Sequence, residues 1–136
     1  MREMTIEARI ENLEAVTAFV DEQLEAADCP IKAQMQIDIA VEELFVNVAH
    51  YAYQPDVGPV TLRMDVSGEP LMAEITFIDR GIPFDPLKKA DPDTALPAEA
   101  RRIGGLGIFM VKKSMDDMAY ERRDGQNILT IRKRIG

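Results

Sequence analysis

Glu43, Asn47 and His50 lie four and then three residues apart within Val41-Glu42-Glu43-Leu44-Phe45-Val46-Asn47-Val48-Ala49-His50-Tyr51-Ala52-Tyr53. In a helix that spacing puts an acid, an amide and an imidazole on one face. A carboxylate so placed can take a proton from an attacking hydroxyl or water, help typically worth roughly a hundred- to ten-thousandfold in rate. An amide oxygen one turn later can ligate a hard cation such as magnesium, which keeps several waters and needs few protein oxygens. Ile37, Val41, Leu44 and Val48 make a separate apolar stripe at helical spacing, which can be buried. A polar helix face is more often simply solvated, so the chemical reading depends on what else the chain supplies.

Two glycine-bearing segments supply it. Asp79-Arg80-Gly81-Ile82-Pro83-Phe84-Asp85-Pro86 follows an apolar run. A carboxylate at a strand end can accept a hydrogen bond from an exocyclic amine, and Gly81 lets a flat ring approach the backbone. Asp and Gly are also ordinary turn residues, so this motif is weak by itself. Gly104-Gly105-Leu106-Gly107-Ile108 stands before a helical pattern. Glycines there let backbone N–H groups converge on a phosphate at the positive end of the helix dipole. The segment is neither a P-loop nor a dinucleotide-binding fingerprint. Lys88, Lys89, Arg101, Arg102, Lys112 and Lys113 cluster around it. Local positive charge beside a glycine loop, in a chain of net charge −8, points to a small anionic ligand such as a nucleotide.

The elements that must position these residues can be read in order. Arg2 to Arg9 alternates loosely and reads as a strand. Asn12 is placed to cap a helix with Leu13, Val16, Val20 and Leu24 on its apolar face, ending near Asp28-Cys29-Pro30. Pro30 suits the first turn of the next helix, Ile31 to Ala52, which carries the acid and the amide. Val60–Val66 and Leu71–Ile78 are strands joined by Ser67-Gly68-Glu69-Pro70. Residues 84 to 103 are rich in Pro, Ala and charge and read as a long loop of the kind used for lids. A helix follows with Ile108, Val111 and Met115 inward. Met118–Arg123 and Asn127–Arg134 pair across Asp124-Gly125, a strong hairpin signal. Strands segregated beside helices predict an α+β two-layer sandwich, with a mixed, mostly antiparallel sheet covered on one face by helices. Residues 1–136 read as a single domain.

Composition narrows the function classes. At 46% hydrophobic and 29% charged residues the chain is an ordinary globular one with enough apolar material for a core. Its 24 acidic against 16 basic residues argue against a nucleic-acid coat. No apolar run is long enough to span a bilayer and the N-terminus leads into no signal core, so a cytoplasmic protein without a membrane role is expected. The single cysteine, Cys29, excludes an internal disulfide and a cysteine-based zinc site.

The ordered set (an E-x-x-x-N helix, D-x-G-x-P-F-D-P, a loop, then G-G-L-G-I) resembles the Bergerat-fold ATP-binding superfamily of gyrase, histidine kinases and MutL. Within it the chain is most similar to the anti-sigma-factor serine kinases of the RsbW and SpoIIAB type. The small size, Ala52-Tyr53 after the asparagine helix, the Pro-Phe-Asp-Pro extension and the closing Asn127-Ile128-Leu129-Thr130-Ile131-Arg132-Lys133 carry that likeness, which covers nearly the whole chain.

The resemblance implies roles residue by residue. Glu43 matches the general base and Asn47 the Mg2+ ligand. Asp79 matches the carboxylate that reads the adenine amino group, with Gly81 and the adjoining Ile82 beside the base. Thr130 matches a strand threonine that supports the adenine contact. Gly104, Gly105, Leu106, Gly107 and Ile108 match the loop around the phosphates. Residues 84 to 103 match the ATP lid, from which Arg101 or Arg102 reaches phosphate. His50 departs from the lysine that relatives often carry there, and a neutral imidazole is the weaker electrostatic partner for phosphate.

The implied protein is an ATP-dependent serine kinase and anti-sigma factor. It phosphorylates a serine of a small STAS-type antagonist, sequesters a sigma factor and forms a homodimer. The alternatives are a non-catalytic ATP- or ADP-dependent binder and an orphan histidine-kinase-like ATPase domain. Retention of Glu43 speaks against the first alternative, and the lack of a dimerisation helix with a phosphorylatable histidine against the second.

Overall fold

The computed structural model describes residues 1–53, 55–85 and 106–136. In chain order these form β1 (Arg2–Glu7), a 3-10 turn (Ile10–Asn12), α1 (Leu13–Ala26), α2 (Ile31–Asn47), a π-helical turn (Val48–Ala52), β2 (Pro59–Ser67), β3 (Met72–Asp79), α3 (Leu106–Ser114), β4 (Asp117–Arg123) and β5 (Gln126–Arg134). The strands make one five-stranded sheet in the order β1-β2-β3-β5-β4. Every neighbouring pair is antiparallel, so the mixed character expected of the sheet is absent among the described strands. The helices cover one face, giving the expected α+β two-layer sandwich.

Period-two alternation decides which strand residues meet the helices. On β3 the buried positions are Ala73, Ile75, Phe77 and Asp79. The register sets Leu62 of β2 and Leu129 of β5 beside Phe77, and Met64 and Ile131 beside Ile75. Against these pack Val16, Val20 and Leu24 of α1, Ile37, Val41, Leu44 and Phe45 of α2, and Ile108 and Val111 of α3. Phe45 and Phe77 are among the largest fully buried side chains. Truncating a phenylalanine in such a position to Ala typically costs about 3–5 kcal/mol.

The helix ends follow local rules, with one correction. Asn12 does not cap α1: its backbone is already helical (φ −93, ψ 0) and its side chain makes no cap bond. A cap residue needs an extended backbone. Here Arg9 is the extended residue, and Asn12 Nδ2 donates to Glu7 O at 2.9 Å instead. At the other end, Cys29 N–H donates to Leu24 O at 3.0 Å and Asp28 N–H to Glu25 O at 3.1 Å, with Asp28 at φ 53. That is a Schellman closure, in which one left-handed residue lets the chain turn back to bond the last carbonyls. The Asp124-Gly125 turn has positive φ at both residues, as a tight two-residue hairpin requires.

The α1–α2 seam carries an acidic pair. Asp21 Oδ1 and Asp38 Oδ1 are buried and have no donor while both side chains are carboxylates. A proton shared between the two supplies one. Burial first, then the hydrogen bond and charge of Asp21, then the charge of Glu25, push the Asp38 carboxyl up to about 7. A folded-state pKa above the unfolded one stabilises the fold at low pH, and that contribution is lost as pH rises toward about 7. Asp38→Asn keeps a donor for Asp21 without needing the proton. Thermal melts at pH 8 should show the variant more stable by a few degrees, the scale on which about 1 kcal/mol moves Tm in a domain of this size. The difference should shrink as pH falls toward 5.

Candidate functional site

The inward phase of the sheet does not end in apolar residues. Asp79 occupies the last inward position of β3 and Asn127 sits directly opposite it on β5. They are the buried polar residues among those described, at 6% and 5% exposure. A carboxylate in that position needs donors. Gly81 N–H donates to Asp79 Oδ1 at 2.8 Å and Asn127 Nδ2 to the same oxygen at 2.9 Å. Oδ2 is then the oxygen left for a ligand.

These two residues form one end of a cleft whose walls are Leu44, Asn47, Val48, Tyr51, Ala52, Phe77, Phe84, Tyr120 and Leu129. Asn47 and Asp79 therefore face the same cavity, from α2 and β3 respectively. Asn47 is half-buried and its amide makes no hydrogen bond among the described residues. Tyr51 and Phe84 stack across the mouth with ring centroids 6.2 Å apart and an interplanar angle of 23°. The surface is largely aliphatic and aromatic with a few convergent polar groups, the usual make-up of a small-molecule site.

The glycines have structural reasons. A Cβ on Gly81 would land on the carbonyl of Ala52, which accepts the N–H of Ile82 at 2.9 Å. The missing side chain thus faces the π-helical turn, and close backbone packing there is what requires glycine. Arg122 Nη1 donates to Gly81 O at 2.8 Å and holds the loop from the β4 side. Tyr53 adds a strut: its hydroxyl donates to Pro59 O at 2.6 Å and accepts Arg80 N–H at 2.8 Å. A Cβ on Gly107 would land on the carboxylate of Glu43, so the first turn of α3 rests directly against that acid. Burial, followed by the charge of neighbouring Glu42, raises the Glu43 carboxyl above the usual glutamate range.

The residues singled out from sequence divide into groups. Asn47 and Asp79 line the cleft, Gly81 packs on Ala52 and bonds Asp79, and Glu43 and Gly107 meet each other one helical turn from Asn47. Ile82 is 59% exposed, and only its backbone takes part, accepting Asn127 Nδ2 at 2.8 Å. Ile108 is buried in the core. Arg101, Arg102, Gly104, Gly105 and residues 86–103 of the expected lid lie outside the described residues, as does the side chain of Leu106.

His50 is exposed and packs edge-on against Tyr51. The π-helical turn that begins at Val48 widens the helix to i→i+5 bonding, which changes the phase after Asn47. Tyr51 reaches the cleft in place of His50. Thr130 faces away from the helices: its hydroxyl pairs with that of Thr76 at 3.2 Å, and Thr76 belongs to the open face of the sheet. The β5 residue that supports Asp79 is Asn127.

Asn127, Tyr120, Tyr51 and Phe84 were given no individual site role from sequence, although Asn127 and Phe84 stand in the motifs that carry the resemblance. Asn127 had a readable signal, since a polar residue occupies the inward phase of Asn127-Leu129-Ile131. Tyr51 and Tyr120 had none before the sheet and the π-helical turn placed them.

No His, Cys, Asp or Glu cluster of three or more converges among the described residues. A cation held here would be ligated by the Asn47 amide oxygen together with ligand oxygens and water, which suits magnesium. No helix among the described residues is long and apolar enough to cross a membrane.

A family model described as the histidine kinase-like ATPase domain matches residues 6–133. The chain belongs to that family. Among its relatives, the serine-protein kinases RsbW of Bacillus cereus strains ATCC 10987 and B4264 are 32% and 34% identical over 95 residues. Those matches cover 67% of this chain and 58% of each relative, so the chain spans well under two thirds of their length.

Two solved structures share the fold. The RsbU and RsbW domains of Rv1364c from Mycobacterium tuberculosis align with TM-score 0.65 and 17% identity over 99% of this chain and 33% of that one. The SiaB–SiaC complex from Pseudomonas aeruginosa aligns with TM-score 0.62 and 15% identity over 96% and 88%. The resemblance read from the ordered motifs is therefore sound: this is a histidine kinase-like ATPase domain most akin, among these relatives, to the RsbW kinases.

The Gly81 packing gives a direct check. Gly81→Ala forces Ala52 and the loop apart and strains the Ile82 bond; overpacking of this kind typically costs about 1–3 kcal/mol. Denaturant unfolding should show a loss in that range.

Proposed function

We propose that this domain is an ATP-dependent serine protein kinase and anti-sigma factor. Its protein substrate is a serine on a small STAS-type antagonist, and it sequesters a sigma factor when that antagonist is absent. One observation carries the reading: Asp79 and Asn47 face a single cleft while Glu43, one turn before Asn47, is half-buried against the first turn of α3. The likeness to the RsbW serine-protein kinases supports it. We assign the protein to the cytoplasm as a homodimer on the same likeness.

In this reading the adenine lies between the aliphatic floor of Leu44, Phe77 and Leu129 and the Tyr51–Phe84 pair. Its exocyclic amine donates to Asp79 Oδ2. The triphosphate runs past Asn47 toward the start of α3, where backbone N–H groups and the helix dipole favour anions. The Asn47 amide oxygen would hold a magnesium ion, which would supply neutralisation of phosphate charge. The serine hydroxyl oxygen attacks the γ-phosphorus, the bond from that phosphorus to the β,γ-bridging oxygen breaks, ADP departs, and the hydroxyl proton passes to the Glu43 carboxylate. Transfer of this kind depends on positioning and charge more than on covalent chemistry by the protein. Burial makes Glu43 a stronger base than an exposed glutamate.

Glu43→Gln should lower kcat for transfer of labelled phosphate from ATP to a purified STAS-type antagonist by roughly a hundred- to ten-thousandfold. Nucleotide affinity should stay close to that of the unmodified chain. No transfer by the unmodified chain, or equal transfer by the variant, overturns the kinase reading. The base must be unprotonated, so kcat should fall on the acid side with a midpoint above the ordinary glutamate range, as the raised pKa requires.

Gly107→Ala pushes the Glu43 carboxylate out of place without touching the core. A misplacement of about 1 Å can cost about a hundredfold in rate. Steady-state kinetics should show a kcat loss of that order with Tm almost unchanged.

A further inference from the structure

Asn127 has a bonding pattern that the proposed function leaves unexplained. Its Nδ2 donates to Asp79 Oδ1 at 2.9 Å and to Ile82 O at 2.8 Å. Its Oδ1 accepts the Tyr120 hydroxyl and, at 3.4 Å, Phe84 N–H. An amide side chain has two N–H donors and two acceptor lone pairs, and all of them are spent on the protein. Asn127 therefore cannot read a ligand itself, although it lines the cleft. Rotating the amide by half a turn would set oxygen against the Asp79 carboxylate and against the Ile82 carbonyl, and NH2 against the Phe84 N–H. Only one orientation is compatible with these neighbours.

That fixed orientation has a consequence for Asp79. Two N–H donors, from Gly81 and Asn127, meet on Oδ1. The carboxylate is held by this pair, and Oδ2 is presented to the cleft as an acceptor. We propose that Asn127 is the positioning residue that makes the site select a purine bearing a 6-amino group over one bearing a 6-oxo group. It does so by holding Asp79 with Oδ2 as acceptor, while Tyr120 locks the amide from β4. The same amide ties Ile82 and Phe84, so the aromatic side of the cleft and the base-reading carboxylate share one anchor. The inference rests on the nucleotide reading of the cleft and adds the residue that sets base preference.

The test compares ATP with ITP, which carries a carbonyl where ATP carries the amine, by direct binding titration to the full chain. An acceptor at Oδ2 favours ATP, by roughly ten- to a hundredfold for one hydrogen bond to a charged group. Asn127→Asp sets a second carboxyl against Asp79. Two carboxylates at that separation hold a proton between them, and Asp79 Oδ1 loses the fixed N–H donor that orients the carboxylate. The ATP-to-ITP affinity ratio should fall by about tenfold or more in the variant, because a carboxylate no longer held on Oδ1 loses its directed acceptor. A merely structural role would weaken both nucleotides together and leave the ratio intact.

Tyr120→Phe removes only the hydroxyl that locks the amide. It should lower the ratio severalfold, and it decides the matter if the Asp variant does not fold. A folded Asn127→Asp with the unmodified ratio, or an unchanged ratio in Tyr120→Phe when the Asp variant cannot be folded, overturns the assignment of Asn127 alone. An unmodified chain that binds neither nucleotide overturns the nucleotide reading, and this inference with it.

Discussion

The structure hangs on one buried carboxylate. Asp79 continues the inward phase of β3 past Phe77, so the alternation that builds the core delivers a charge-bearing group to the end of it. A carboxylate there is tolerable only with donors in place. One donor is the N–H two residues along the chain, which requires the backbone to turn back tightly at Gly81. That turn brings residue 81 against Ala52, where a side chain would not fit. The other donor comes from the partner strand, which requires β5 to be in the register that sets Asn127 opposite Asp79. Sheet register, a glycine and a helix end are thus bound together by the requirement to satisfy a single oxygen.

Helix α2 serves two layers at once. Ile37, Val41, Leu44 and Phe45 anchor it to the sheet, and the same rigid anchoring fixes the directions of Glu43 and Asn47. Gly107 lets α3 close directly on Glu43, which removes water from the acid and raises its basicity. The contact that packs α3 on α2 therefore also buries Glu43. Side chains on helices packed this firmly are held more closely than they would be on loops.

The π-helical turn at Val48–Ala52 is where the helix changes purpose. By widening the turn it exposes His50 and sends Tyr51 to the cleft, where it stacks on Phe84. It also presents the Ala52 carbonyl to Ile82 N–H. Such turns frequently occur at functional sites. Here the turn joins the α2 wall of the cleft to the loop after β3.

Much of this was legible in the linear chain. Periodicities of 3.6 and 2 located the helices and strands, because burial of one face imposes them wherever an element meets a core. Asp124-Gly125 fixed a hairpin, because positive φ at both residues is needed there. Asn47 and Asp79 stood out as polar types beside apolar runs, and the structure sets both on one cleft. What the chain could not show is phase and partnership. A helical wheel assumes 100° per residue, so the π-helical turn put Tyr51 on the cleft and left His50 exposed. Thr130 and Asn127 lie on the same strand, and only the register with β3 put Asn127 beside Asp79 and turned Thr130 to the open face. Asn12 looked like a cap until the preceding 3-10 turn gave it a helical backbone. Local spacing is set by the bonds between near neighbours and is written in the sequence. Which side chains meet across strands and helices is set by packing among distant segments, and that is decided only when the whole chain closes on its core.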